Sequence, residues 1–481
     1  MKLTSVFCST FSALAIVAAA SSTAIAQPTT PPADYELSSA QEVTANKLIE
    51  KALDDDMAWD ILESLTTEIG PRLAGSEAEA RARDWGAAKF KSMGFKNVRI
   101  ETFDLPYWNR VSESVEIVSP FPQALAATAL GSSVATPEGG ITGDVVRFTT
   151  LADLTRAPMT GLEGKIVFVD EPMARTQDGS GYGAAVGKRS LAAIEAGKRD
   201  AAAALIRSVG TDSHRFPHTG GMSYRDVRKK VPVAAISNPD ADQLTRALRF
   251  ADEPVRVSMN IQVETKAVAQ SGNVIGEIKG QTDEIIVIGG HLDSWDLGTG
   301  AIDDGAGIAI TMAAAKLIDE LPGKPKRTIR VIMWGAEETG LHGARAYAKA
   351  HADELDRHVV ASESDFGAAE VWQFRSGFAE SELGKARTIA RVLRRLGIGP
   401  GDNKSGGGPD VTPLRQAGVP TFRLRQNGWD YFDLHHTPDD TLDKVDPEEL
   451  RQNVAAWAAT IYMASEMDGD FRGEQSAEAA Q

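Results

Sequence analysis

The chain has 481 residues, which is more than one ordinary core accommodates, so we expect two domains or one domain with a large insertion. Hydrophobic residues make up 42% of the chain and 44 glycines are spread along it, a composition that fits a globular α/β protein and argues against disorder. The formal net charge of −16 argues against a nucleic-acid partner, because an acidic surface repels phosphates.

The first 26 residues have the features of an export signal. Lys2 gives a positive start, the stretch 13–20 is apolar, and Ala24-Ile25-Ala26 is a small-x-small cleavage site. We therefore expect a signal peptide at 1–26 and an exported protein, periplasmic or extracellular. No later stretch has the roughly 20 apolar residues of a membrane span, so stable membrane insertion is not expected. The one cysteine, Cys8, lies in the signal, which excludes disulfides, thiol catalysis and cysteine–zinc sites from the mature chain.

A proline-rich linker at 27–37 precedes the segment 38–109, which is predicted to be helical and then extended. Its apolar residues recur at three- and four-residue steps, as on the core face of a helix: Leu48, Ile49, Leu53, Met57, Ile61, Leu62 and Leu65. Ser76 is a typical N-cap for a second helix. The extended run NVRIETFDL closes the segment.

The segment 110–264 has a different pattern of predicted elements. Short β-like runs are separated by glycine and proline, and one helical pattern, SLAAIEAGKRDAA, lies between two of them. This pattern predicts a compact β-rich insertion.

The segment 265–466 alternates strands with helices. The predicted strands are EIIVIGG, RTIRVIMWG, HVVASES and VPTFRLR. Alternation of this kind predicts an α/β fold with a mostly parallel central sheet flanked by helices on both faces. The polar end, 467–481, is predicted to be a disordered tail.

Acidic and imidazole side chains follow the carboxyl ends of these strands, where open α/β sheets place their sites. They are His291, Asp293, Asp303, Asp304, Glu337, Glu338, Asp365, His435 and His436. Singly each has a structural explanation, since acidic residues are favoured at helix N-termini. Together, several carboxylates at one sheet edge repel one another unless a cation lies between them. The set therefore predicts a metal site.

The ligand types indicate zinc, although manganese or cobalt would suit the same groups. A catalytic zinc keeps about three protein ligands and a water, so two histidines and three carboxylates are too many for one ion. They suit two zinc ions about 3.5–4 Å apart that share one carboxylate and one water. A further carboxylate, free of metal, is then needed to accept the proton of that water.

Four motifs in this order, HLDSWDLGTGAIDDGAG, WGAEETGLHG, ESDFG and HHTPDDT, resemble the two-zinc exopeptidase family of glutamate carboxypeptidases and bacterial aminopeptidases. They are most similar to its carboxypeptidase Q (plasma glutamate carboxypeptidase) branch, and the resemblance covers about residues 62–463. It implies a zinc exopeptidase fold, identifies 110–264 as an inserted protease-associated domain, and suggests a homodimer by analogy.

The resemblance also implies the ligands of the two metals, which are His291, Asp303 as the bridging carboxylate, Glu338, Asp365 and His436. It implies that Glu337 is the general base and that Asp293 is the carboxylate that orients His291, a support that metal-bound histidines generally have. A cis peptide after Asp303 is implied as well.

The last histidine ligand is assigned within the family pattern H-[ST]-x-x-D-T. His436 meets this pattern and His435 does not, because Thr437, Asp440 and Thr441 follow His436 at the required spacing. Asp440 is then a candidate for orienting His436. The sequence leaves the role of His435 open.

The implied reaction is hydrolysis of a small peptide, a dipeptide by resemblance, beside a free terminus. The metal-bridging water is deprotonated by Glu337, which returns the proton to the leaving amine. A dipeptidase or carboxypeptidase needs a cation for the substrate carboxylate, and Arg375, Arg423 and Arg425 are candidates. An aminopeptidase would bind the substrate ammonium with the site carboxylates, and this alternative stays open. A metal-free receptor-like protein or a one-zinc glutaminyl cyclase would have incomplete ligand motifs.

Other residues are candidates for contacts with substrate. The loop of the insertion that carries His214 and His218 is a candidate to reach over the metal cleft and touch substrate, although the sequence leaves the role of both histidines open. Trp295 and Tyr431 are candidates for the cleft wall, with packing in their loops as the alternative. His358 is expected to be an exposed residue at a helix end.

Overall fold

The computed structural model describes residues 32–473. The predicted signal peptide at 1–26, the first part of the linker and the last part of the tail lie outside the described residues. Within them, the α-helices are α1 (Ser39–Leu53), α2 (Met57–Glu68), α3 (Glu77–Ser92), α4 (Leu151–Arg156), α5 (Ser180–Ala185), α6 (Gly187–Lys198), α7 (Asn238–Phe250), α8 (Ala306–Asp319), α9 (His342–Ala350), α10 (Leu383–Leu393), α11 (Thr412–Gln416), α12 (Tyr431–Leu434) and α13 (Pro447–Glu466).

The strands are β1 (Lys96–Ser119), β2 (Gln123–Leu125), β3 (Ala127–Ala129), β4 (Ile141–Phe148), β5 (Ile166–Val169), β6 (Ala203–Arg207), β7 (Val233–Ile236), β8 (Arg256–Ile278), β9 (Ile285–His291), β10 (Thr328–Trp334), β11 (His358–Glu363), β12 (Val371–Gly377), β13 (Gly399–Pro400) and β14 (Thr421–Gln426). Short helical turns complete the list: a π-helical turn at Ala301–Gly305 and 3-10 turns at Ala352–Arg357, Glu380–Glu382, Arg394–Leu396 and Leu442–Lys444.

The strands form one mixed sheet in the order β13-β12-β14-β11-β9-β10-β8-β4-β5-β6-β7-β3, with β1 paired to β8 and β2 to β1. The four central strands β14, β11, β9 and β10 are parallel to one another. Strand β8 is antiparallel to β10, and β12 is antiparallel to β14. The prediction of a mostly parallel central sheet is therefore confirmed for these four strands, whereas the sheet as a whole is mixed.

The sheet has hydrophobic clusters on both of its faces, because successive side chains of a strand point to opposite sides. In β9, Ile286 and Ile288 lie in one buried cluster and Ile285 and Val287 in another. Helix α8, buried along almost its whole length, covers the first face together with α13. Between residues 32 and 473, no helix has the length and apolar character that crossing a membrane requires.

The segment 110–264 leaves the rest of the chain through a two-stranded ribbon made of β1 and β8. Its predicted ends pair across this ribbon, since Asn109 lies opposite Glu264 and Arg110 opposite Val263. Strands β4 to β7 of the segment are parallel and form two buried clusters with its own helices. The segment thus has a core of its own, while its assignment as a protease-associated domain stays a prediction.

The chain end differs from the predicted disordered tail. Residues 467–473 fold back onto the protein, and the Phe471 side chain is fully buried against Phe378, with 4.6 Å between the ring centroids. The guanidinium of Arg327 lies over the Phe471 ring as well. The prediction of disorder from residue 467 is wrong for these residues, because the buried side chains of Met467 and Phe471 anchor an otherwise polar stretch.

Candidate active site

The four parallel central strands deliver the predicted site residues to one edge. Strand β9 ends at His291, β10 is followed by Glu337 and Glu338, and β11 is followed by Asp365. Strand β14 leads through α12 to His436. Because parallel strands have their carboxyl ends at the same edge of a sheet, these side chains converge there.

One group of potential ligands consists of His291, Asp303 and Asp365, whose ligand atoms lie within 4.8 Å of one another. The His291 Nε2 atom is 2.9 Å from Asp303 Oδ1 and 3.9 Å from Asp365 Oδ1. On the other side of the ring, Nδ1 is 2.8 Å from the backbone oxygen of Asp293. The Nε2 atom therefore points into the site, as a metal ligand requires.

A second group lies on the other side of Asp303. The His436 Nε2 atom is 3.1 Å from Asp303 Oδ2 and 3.1 Å from Glu338 Oε2. His435 stacks on His436 and its Nε2 atom is 3.6 Å from Asp303 Oδ2, so His435 also reaches this group. Asp303 is the carboxylate that both groups share.

The donor set fits metal ions. Asp303 Oδ2 and Glu338 Oε1 are buried oxygens without a hydrogen-bond donor among residues 32–473, and an unpaired buried carboxylate oxygen is costly unless a cation compensates it. Burial opposes ionisation of Asp303, but the neighbouring His291 and His436 imidazoles hold the pKa of its carboxyl well below 3.8. Ionised carboxylates beside imidazole nitrogens are the ligand types of catalytic zinc sites.

A tight turn presents Asp303 at the start of α8. The peptide between Asp303 and Asp304 is cis, as the resemblance implies. Asp304 is buried, and its carboxylate accepts hydrogen bonds from the backbone N–H groups of His291 and Gly307 at 2.9 and 3.2 Å. A Cβ on Gly290 would lie 2.4 Å from Asp304 Oδ2, so glycine is required at this position. Asp304 thus ties the turn to the end of β9.

Two supporting aspartates have partners other than the predicted ones. The Asp293 carboxylate accepts hydrogen bonds from the backbone N–H groups of Glu337 and Glu338 at 2.9 and 3.2 Å, whereas its Oδ1 is 3.8 Å from His291 Nδ1. The backbone oxygen of Asp293, not its carboxylate, thus contacts His291. Asp440 accepts a hydrogen bond from the backbone N–H of Ile302 at 2.6 Å, so it holds the Asp303 turn, and no hydrogen bond joins it to His436 within residues 32–473.

Glu337 lies beside the two groups and lines the cleft above them. Burial raises the pKa of its carboxyl well above 4.5, and the neighbouring Glu338 carboxylate adds to the shift. A raised pKa suits a group that accepts and returns a proton near neutral pH.

The site opens into a cleft of about 1140 Å³. Trp295 and Tyr431 line it, as expected, and so do Arg189 and Tyr182 of the segment 110–264. The loop that follows His218 reaches the cleft through Gly221, Met222 and Ser223.

The two histidines of that loop have no place in the cleft wall. His214 is exposed, and His218 is buried with its ring nitrogens 2.7 Å from the His435 backbone oxygen and 2.8 Å from Asp212 Oδ1. The expectation that they touch substrate is not supported by these positions.

The structure adds contacts that sequence reasoning misses. The indole N–H of Trp295 donates to Glu338 Oε2 at 2.6 Å, and the backbone oxygen of Thr219 lies 3.2 Å from His436 Nδ1. Arg189 Nη1 is also 3.2 Å from that nitrogen. No motif could indicate Thr219 and Arg189, because they are far from the other site residues in sequence and only folding brings them to the site.

Comparison with known proteins places this site in a family. The model of peptidase family M28 matches residues 273–461. Carboxypeptidase Q of mouse (Mus musculus) is 33% identical over 416 residues, which are 85% of this chain and 86% of the relative. Aminopeptidase YwaD of Bacillus subtilis (strain 168) is 24% identical over 425 residues, 85% of this chain and 84% of the relative. The crystal structure of a peptidase M28 precursor from Shewanella amazonensis SB2B matches with a TM-score of 0.89 at 47% identity, covering 91% of this chain and 99% of that one.

The fold and the cluster of imidazole and carboxylate groups define a metallopeptidase. The chain belongs to peptidase family M28.

Proposed function

We propose that this metallopeptidase is an exported di-zinc exopeptidase that hydrolyses dipeptides, in the manner of carboxypeptidase Q. Peptide hydrolysis follows from the family, and the two-metal site rests on Asp303, which is common to both groups of potential ligands. His291 and Asp365 would complete one position, and Glu338 and His436 the other. Export rests on the sequence of residues 1–26 alone, and a homodimer rests on analogy.

Bound zinc supplies Lewis-acid chemistry, since it lowers the pKa of water and polarises a carbonyl oxygen. The chain supplies the proton transfer. A Glu337 carboxylate oxygen accepts the proton of the attacking water and passes it to the leaving amine nitrogen. Asp293 supports this step by holding the backbone N–H of Glu337, which fixes the turn that carries the base.

Arg423 is the observation that carries the dipeptidase proposal. It lines the cleft, its Nη2 donates to the backbone oxygen of Asp365 at 3.1 Å, and its side chain has no carboxylate partner among residues 32–473. The other two candidates are occupied, Arg425 by Asp178 and Arg375 by Asp402. A free guanidinium next to a metal ligand is suited to bind the C-terminal carboxylate of a short peptide.

The test compares a dipeptide with its C-terminal amide in the wild-type protein and in Arg423→Met. Loss of a charge-assisted contact of about 1.5–3 kcal/mol should lower kcat/KM for the dipeptide roughly ten- to hundredfold. The amide should be cleaved equally by both proteins. Arg375→Met is the matched control on the neighbouring strand and should leave the ratio of the two substrates unchanged.

Either of two results would contradict the dipeptidase proposal. The first is an equal loss of activity towards dipeptide and amide in Arg423→Met. The second is a wild-type enzyme that prefers amino-acid anilides to dipeptides, which would establish the aminopeptidase alternative instead.

A further inference from the structure

The two positions of the site differ in what holds their ligands. The hydrogen-bond partners of His291 and Asp365 lie outside the segment 110–264 within the described chain. His436 is held by this segment directly, because the Thr219 N–H donates to the His436 backbone oxygen at 3.0 Å and the Thr219 oxygen faces His436 Nδ1. The segment therefore makes hydrogen bonds to His436 on one side of the site and makes none to His291 or Asp365 on the other within the described chain.

Glu338 is held by the segment indirectly, through Trp295. One carboxylate oxygen, Oε2, accepts the Trp295 N–H, while the buried Oε1 atom has no donor among residues 32–473. The Trp295 contact thus restrains the carboxylate through Oε2, the oxygen that lies 3.1 Å from His436 Nε2. An outer partner that orients a ligand in this way typically changes metal affinity.

The position of Trp295 is set by two glycines of the segment. Gly131 and Gly221 pair in an isolated β-bridge next to the indole. A Cβ on Gly131 would lie 2.1 Å from Trp295 Cη2, and one on Gly221 would lie 2.9 Å from the Glu338 backbone oxygen. The indole is only 4% exposed. The bridge is thus a slot that admits the indole because Gly131 lacks a side chain, whereas a Cβ on Gly221 would meet the Glu338 backbone oxygen and not the indole.

We propose that the segment 110–264 sets the zinc affinity of the position formed by Glu338 and His436, through Trp295 in the Gly131–Gly221 slot and through Thr219. The position formed by His291 and Asp365 is independent of the segment. Trp295 is a positioning residue in this account, since it acts through Glu338. The inference rests on the proposed two-metal function, and it adds that the zinc affinity of only one of the two positions depends on the segment 110–264.

The test is a titration of zinc into chelator-stripped protein, followed by calorimetry. Trp295→Phe keeps an aromatic ring in the slot and removes the N–H donor. We expect one of the two binding steps to weaken roughly tenfold to a hundredfold and the other to stay unchanged. Asp365→Ala, which removes a ligand of the other position, identifies the weakened step.

Trp108→Phe is the matched control. Trp108 packs edge-on against Trp295 at 6.4 Å, but its N–H donates to the Ser133 backbone oxygen and not to a potential ligand. Both zinc affinities should stay at the wild-type value in this variant. Gly131→Ala provides an independent change, because it displaces the indole without deleting any donor, and it should weaken the same step as Trp295→Phe.

The outcomes separate the inference from the function on which it rests. If Trp295→Phe and Gly131→Ala leave both steps unchanged, or weaken both equally, while the wild-type protein binds two zinc ions, the inference is wrong and the two-metal function stands. If the wild-type protein binds fewer than two zinc ions, the two-metal function is wrong and the inference falls with it.

Discussion

The start of strand β11 contains a buried histidine whose protonation should weaken the fold. His358 is fully buried, contrary to its prediction as an exposed helix-end residue. Its Nδ1 is 2.9 Å from the Glu354 backbone oxygen and its Nε2 is 2.8 Å from the Tyr347 hydroxyl. This arrangement suits a neutral imidazole that donates from Nδ1 and accepts at Nε2. We predict that His358→Asn removes a specific acid sensitivity of the protein.

The size of the effect follows from the pKa of His358. Burial lowers this pKa from 6.5 to about 4. The hydrogen bond to the Glu354 backbone opposes the shift, and the nearby Arg330 cation adds to it. Between these pH values the unfolded chain binds a proton that the folded chain does not. The contribution of His358 to the free energy of unfolding is therefore fully present above pH 6.5 and is lost as the pH falls towards 4. The full difference corresponds to about 3 kcal/mol, most of which is lost between pH 7 and pH 4.5.

Urea unfolding of both proteins at pH 7, 5.5 and 4.5 measures this contribution. The wild-type free energy of unfolding should fall by roughly 2–3 kcal/mol more than that of His358→Asn over this range. Other acid-sensitive groups, such as Glu354, are common to both proteins and cancel in the difference. Parallel pH dependences for the two proteins would refute the reasoning.

Two further substitutions test individual contacts. Phe471→Ala should lower the free energy of unfolding by about 3–5 kcal/mol, because the ring is buried against Phe378; an unchanged urea midpoint would mean that the chain end is not packed. Asp440→Ala should weaken zinc binding at both positions, because it leaves the backbone N–H of Ile302 without its acceptor in the turn that carries the shared Asp303; a change at one position only would contradict this assignment.

The central part of the fold is readable from local patterns. Strands β9, β10, β11 and β14 match the predicted runs to within one or two residues, because buried parallel strands are continuous apolar runs. The N-cap at Ser76 is confirmed, since its hydroxyl accepts the Glu79 N–H. Helix α7 is absent from the predicted elements although Ser237 caps it and a proline follows in its first turn.

The antiparallel pairings could not be read in the same way. A strand carries no mark of its neighbour's direction, so the sequence of β8 does not reveal that it runs antiparallel to β1, β4 and β10. The sheet is therefore more mixed than its alternating strands and helices indicate.

The site, like the fold, has a part that is predictable from the sequence and a part that is not. Its acidic and imidazole residues are predictable because strand ends converge by geometry. The hydrogen bonds that hold these residues are not predictable, because a carboxylate close to a histidine in sequence can accept from another donor in the folded chain. Asp293 illustrates this: its carboxylate binds the Glu337 and Glu338 backbone, and its carbonyl oxygen takes the contact with His291. The Trp295 contact depends on glycines of a distant segment and has no local pattern at all.

The most direct test of the whole account is the zinc content and dipeptide turnover of the wild-type protein and of Glu337→Gln, measured on the same preparations. We predict two zinc ions per chain in both proteins and a kcat that is roughly 10²–10⁴-fold lower in the variant. Wild-type turnover should disappear on chelation and return with zinc. Full activity of Glu337→Gln with its zinc retained, or dipeptide cleavage that survives chelation, would contradict the account.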